Sequence, residues 1–103
     1  MAENISLTET TYYILLSLYR PLHGYGIMQR AAELSNGRVR LAAGTLYGAL
    51  NAMVDKGWIV LLPGEGRKKE YQLTSRGLAV LKKELERLRE LVASGDQVMK
   101  EEA

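Results

Sequence analysis

Between Ala43 and Gly57 the side chains of Leu46, Leu50, Met53 and Val54 recur at i, i+4, i+7 and i+8, the spacing of one face of an α-helix. Gly57 follows where a left-handed C-terminal cap is wanted. The opposite face holds Thr45, Gly48, Asn51, Ala52 and Asp55, all small or polar, and Tyr47 lies on the border. A helix with one buried stripe and one bare, narrow face can approach another surface closely. An ordinary amphipathic core helix has the same stripe, so its flanks decide. Trp58-Ile59-Val60-Leu61-Leu62 is β-branched and aromatic and reads as a strand. Pro63-Gly64-Glu65-Gly66 is turn chemistry. The return strand, Lys69 to Thr74, puts Tyr71 and Leu73 on one face, and the basic run Arg67-Lys68-Lys69 opens it.

Before this unit the pattern predicts two more helices. From Glu9 to Arg20 the apolar positions crowd on several sides, as in a helix central to a core or shared with a second subunit. Thr8 begins it and Pro21 stops it. The second runs from about Tyr25 to Leu34, with Tyr25, Ile27, Met28, Ala31 and Leu34 as packing residues, and Asn36-Gly37 ends it. Arg38-Val39-Arg40-Leu41 alternates charged and apolar, which suits one short edge strand. Behind the hairpin, Ser75 to Ala93 forms a last, long helix. Its Leu78, Leu81, Leu85, Leu88 and Val92 stand 3, 4, 3 and 4 apart, a heptad seam flanked by charges. Two heptads do not sustain a coiled coil alone. The seam is narrower than a core-facing stripe, which points to two chains pairing through this helix with help from Tyr12 and Tyr19 of the first. Met1 to Leu7 shows no periodicity, and the polar tail from Ser94 to Ala103 reads as a frayed end.

Helix, then hairpin with a basic tip, is the order of a winged helix-turn-helix. The expected class is therefore α+β, mostly α: a winged-helix unit over residues 1–76 and a pairing helix with its tail over 77–103. With 103 residues there is room for one core. The net charge of +2 says little by itself. Its placement says more, because the excess of Lys and Arg lies ahead of Leu78. The absence of cysteine excludes disulfides and thiolate metal sites, and one histidine leaves no cluster for a histidine site or triad. His23 reads as a turn residue that caps the second helix or is simply exposed. No metal or cofactor is expected. Paired carboxylates on a known scaffold, an activated nucleophile and a phosphate-binding glycine loop are all lacking, which argues against an enzyme. The longest apolar run is too short to span a bilayer and no leader opens the chain, so a cytoplasmic protein is expected.

A charge run near a turn is usually only solvated. Here it sits on a hairpin behind a bare helix, where cations at fixed spacing suit phosphates; Arg38, Arg40 and Arg76 could add to the same side. Tyr13 to Leu18, Pro21, His23-Gly24-Tyr25, Gly44-Thr45-Leu46-Tyr47, Gly57-Trp58-Ile59, Arg67-Lys68-Lys69, Tyr71 to Thr74 and Gly77 together resemble the PadR family of bacterial transcriptional regulators. The resemblance spans about residues 12 to 92. It implies a winged-helix homodimer, typically a repressor, with C-terminal helices in the dimer contact and the Gly-Thr-Leu-Tyr helix in the major groove. The short chain is similar to the family's small branch. Two departures stand out: Ala42 and Ala43 replace a frequent Ser and Pro, and Gly48 replaces a frequent Pro, so the helix start is expected to be looser.

On this basis the partners are double-stranded operator DNA and a second copy of the chain, without a membrane. Gly44, Thr45, Tyr47, Gly48 and Asn51 are the expected groove-facing residues, with Asn51 placed for bidentate adenine recognition. Arg67, Lys68 and Lys69 would hold phosphates or the minor groove. The other class the sequence allows is a winged-helix module that docks a protein. The resemblance also implies that a small-molecule effector is possible, its identity unknown: some small PadR-like proteins hold planar drugs between aromatic residues at the dimer centre, but here the last helix has no aromatic residue and Trp58 begins a strand, which leaves such a pocket unsupported.

Overall fold

The computed structural model describes residues 6–102, apart from the side chain of Arg67, so most of the N-terminal arm lies outside the described residues. Helix α1 covers Glu9–Ser17, α2 Gly24–Leu34 and α3 Ala43–Asp55. Strands β1, Ile59–Leu61, and β2, Tyr71–Leu73, form an antiparallel hairpin, and α4 covers Ser75–Glu101. No described helix is long and apolar enough to cross a membrane.

Thr8 caps α1 by accepting from the Thr11 amide at 3.1 Å. The helix closes three residues earlier than its apolar run. The Leu18 amide is shared between the carbonyls of Ile14 and Leu15, a tightened last turn, and Pro21 ahead disfavours helical geometry before it. The crowded apolar positions resolve into core and surface: Ile14, Leu15 and Leu18 are fully buried, and Tyr19 is 69% exposed.

In α2 the packed face is Gly24, Ile27 and Ala31. Tyr25, expected in the core, is exposed, because at roughly 100° per residue it points almost opposite Ile27. Asn36, at φ 54°, ends the helix in the left-handed region, and the Gly37 amide reaches back to the Ala32 carbonyl at 2.8 Å. The edge strand expected over 38–41 does not form. Ser35 Oγ takes the Val39 amide at 2.9 Å, and Val39 turns inward. The third position in the sheet goes to Leu22, which exchanges both backbone hydrogen bonds with Tyr71.

Leu46, Leu50 and Met53 of α3 are buried as the periodicity predicts. Val54 is not: it lies at the flank of that stripe and is 37% exposed. Gly57, at φ 76°, closes α3 with the Gly57 and Trp58 amides on the carbonyls of Val54 and Met53. Thr74 then ties this end to the next helix. Its hydroxyl donates to the Gly57 carbonyl at 2.6 Å and accepts from the Gly77 amide, capping α4. Gly77 lies directly on the Trp58 carbonyl, with no room for a side chain.

Leu81 of α4 joins the core formed by Ile14, Leu15, Leu18, Ile27, Leu46 and Leu50. Glu84, which the seam pattern leaves among the flanking charges, is 2% exposed. Its carboxylate accepts from the Leu7 amide at 2.8 Å and from two nitrogens of Arg87 at 2.6 and 2.9 Å. The Arg87 hydrogen bonds hold this carboxyl below the usual range, against the effect of burial and with help from the Leu7 amide. A depressed folded value stabilises above the ordinary glutamate range and is lost as pH falls through the folded value. Glu84→Gln should therefore cost about 1–3 kcal/mol at neutral pH. It should also flatten the fall of the urea midpoint below about pH 4.5, the ordinary glutamate value.

Beyond Glu84, α4 does not fray at Ser94. It runs on to Glu101, because once a helix is formed each further residue adds a hydrogen bond for one more ordered position, and a single Gly95 costs only about 1 kcal/mol.

Candidate nucleic-acid interface

The outward face of α3 is bare. Gly44, Thr45, Gly48, Asn51, Ala52 and Asp55 are exposed, and a Cβ at Gly44 or Gly48 would meet nothing within 4 Å. The buried stripe turns this face away from the core, so its backbone can come close to another surface. Tyr47 behaves differently from its neighbours. It is 46% exposed, and its hydroxyl lies over Gly24 at the start of α2. Only the missing side chain at Gly24 permits that contact, which fixes the approach of α3 to α2. No local pattern in the sequence signals it.

Ala42 is the N-cap of α3, extended at φ −78° and ψ 148°, with no side-chain hydrogen bond to the first turn. The first amides of the helix thus lack a side-chain partner from the cap residue. Ala42→Ser should raise stability by about 1 kcal/mol, read as a higher denaturation midpoint.

The basic run stands nearer the tip of the hairpin than its expected place at the start of the second strand. Gly66–Lys68 is a 3₁₀ turn that opens from Gly66 at φ 60°, and Leu62 pairs with Glu70 just below it. Lys68 and Lys69 are exposed, and so are Glu65 and Glu70, so by sequence the net positive charge of the tip is that of Arg67. The side chain of Arg67 lies outside the described residues.

The other basic residues divide. Arg38 is drawn away to α1, where its guanidinium pairs with Glu9 at 3.0 Å. Arg40 folds over Gly37, and Arg76 lies beside Gly57 at the far end of α3. Lys56 sits 4.7 Å from the Trp58 ring, a cation–π contact at the base of the hairpin. Among the described residues there is no group of carboxylates or histidines that could hold a metal.

The expected pairing residues also divide. Leu81 is packed in the chain's own core, while Tyr12, Leu78, Leu85 and Leu88 are half-buried. Tyr19 and Val92 are exposed. Leu91, Val98 and Met99, outside the seam as read from the sequence, are exposed too.

Three helices, a hairpin behind the third and a bare outer face on that helix define a winged helix-turn-helix. The chain belongs to the transcriptional regulator PadR-like family, whose model matches residues 13–83. It is similar in fold to a PadR family transcription regulator from Clostridium difficile R20291. That match has a TM-score of 0.75 at 24% identity and covers 89% of this chain and 99% of the other. A PadR-like transcription factor from Bacteroides fragilis gives 0.72 at 25%, covering 85% and 87%. RosR from H. salinarum gives 0.70 at 23%, covering 93% and 99%. No curated protein matches the chain.

Proposed function

We propose that this chain is a cytoplasmic transcriptional repressor that binds operator DNA as a homodimer. Residues 1–76 form the DNA-binding unit and residues 77–103 the pairing helix. The observation that carries this is the outward face of α3, free of long side chains and open at both Gly44 and Gly48. A helix so shaped can enter a major groove of about 12 Å, where Asn51 meets base edges and Thr45 lies nearer the groove wall. Tyr47, held against Gly24, borders the contact and sets the angle between α2 and α3. Lys68 and Lys69 at the hairpin tip, with Arg67 beside them in sequence, supply cations for phosphates. No catalytic step is assigned to any residue.

The test is a gel shift with duplexes selected from a random pool and with unrelated duplexes, repeated across salt concentrations. Selected sequence should bind more tightly by roughly a thousandfold or more, and both affinities should fall with salt. Weak binding without salt dependence would indicate a module that docks a protein instead.

A further inference from the structure

Between the end of α1 and the body of α2 lies an open cleft of about 600 Å³, a size common among sites for small organic ligands. Leu16, Leu22 and Leu34 line it together with Tyr19, and its charged side chains are Arg20 and Arg30. The three leucines are half-buried and Tyr19 is exposed, so apolar surface stays open to water here. Ser17 also lines the cleft, but its hydroxyl is engaged, donating to the Tyr13 carbonyl at 2.7 Å.

No carboxylate lines the cleft. Both arginines are exposed, and the ion pairs found among the described residues lie elsewhere, at Arg38 and Arg87. A free guanidinium takes a carboxylate through two parallel hydrogen bonds. Leucines below and cations at the edge therefore suit a molecule with an apolar body and one anionic end. Tyr19 is the one aromatic side chain in the lining, so a flat ring has no second ring to sandwich it. Leucine side chains pack instead along a flexible alkyl chain.

The walls of the cleft also hold the elements placed at DNA. Leu22 exchanges backbone hydrogen bonds with Tyr71 of the hairpin, and α2 meets α3 where Gly24 receives the Tyr47 hydroxyl. We propose that this cleft binds a free fatty acid, its carboxylate at Arg20 and Arg30 and its chain along the leucines, and that the bound acid lowers affinity for DNA. The effect on DNA rests on the function proposed above, whereas the binding does not. The carboxylate offsets positive charge on the DNA-binding unit, and the alkyl chain bears on the hairpin and on α2 together.

Dodecanoate below its micelle concentration is the probe, titrated calorimetrically into the protein without DNA. One acid should bind per chain, at least tenfold more tightly than dodecanol or dodecyltrimethylammonium, which share its alkyl chain. Decanoate should bind several-fold more weakly than dodecanoate. Arg20→Gln with Arg30→Gln should weaken dodecanoate tenfold or more and leave dodecanol as it was. Arg38→Gln, outside the cleft, should change neither. Added dodecanoate should lower affinity for a selected duplex several-fold, and should no longer do so in the double arginine variant. Equal binding of acid, alcohol and ammonium would make the cleft a mere apolar surface and overturn the proposal, as would naphthoate binding more tightly than dodecanoate. Dodecanoate that binds through both arginines without moving the DNA affinity overturns its role as an effector. A chain that binds the acid in this way but no duplex keeps the site and overturns the function proposed above.

Discussion

Gly77→Ala is expected to destabilise the fold by about 3 kcal/mol or to prevent folding, because the new methyl group would meet backbone rather than a movable side chain. A Cβ at Gly77 would collide with the Trp58 carbonyl and come within 3.1 Å of Leu73 Cδ2. That carbonyl also accepts the Thr74 amide at 3.0 Å, so α4 cannot back away without losing the bond that anchors its cap residue. Gly24→Ala should be milder. There the new methyl group meets the far end of Tyr47, which can swing aside at the expense of the α2–α3 contact. Gly95→Ala, in open space on α4, should instead stabilise by up to about 1 kcal/mol. Urea denaturation of the three variants checks the order. Equal midpoints at 77 and 95 would mean that α4 does not start where it is placed.

Leu91→Asp is expected to leave the folded chain intact and to weaken self-association about 100-fold or more. Leu91 is 55% exposed in the single chain, and surface substitutions of that kind usually change stability by no more than about 0.5 kcal/mol. Between paired helices the same carboxylate would be buried without a partner, a loss of several kcal/mol. Leu85→Asp should act on both levels, since Leu85 is already half-buried in its own chain. Sedimentation together with circular dichroism separates the two. A Leu91→Asp protein that still sediments as a dimer would place the contact elsewhere.

How much of this was legible in the sequence depends on how local each cause is. The span of α3 could be read because its apolar spacing and Gly57 after its end are signals within the segment, whereas its start at Ala42, which carries no capping group, was set by the family resemblance. The hairpin was legible from its turn residues. Arg38 to Leu41 alternates as a strand does and forms none, because alternation shows only that a strand is possible. Whether a ladder forms depends on a partner, and Leu22 already occupies the open side of Tyr71. Tyr25 has the aromatic ring of a packing residue, but helix phase puts it outside. Glu84 was hidden for the opposite reason: its phase faces inward, but a buried carboxylate needs the Leu7 amide and Arg87, and the first of these is remote in sequence. The contact of Tyr47 with Gly24 joins two helices and leaves no local trace at all.

If α3 reads bases and the hairpin holds phosphates, as proposed, the salt dependence of DNA binding separates the two roles. The outward face of α3 has no arginine, and its nearest lysine, Lys56, is engaged with Trp58. Replacing Lys68 and Lys69 with alanine should weaken binding to selected and random duplexes alike, and flatten the slope of log affinity against log salt by roughly two units per subunit at most. Asn51→Ala should leave that slope unchanged and lower discrimination at one base pair of each half-site by about 1–3 kcal/mol. If the lysine replacements altered base preference while Asn51→Ala left every position untouched, the hairpin would be the reader and α3 mainly its scaffold.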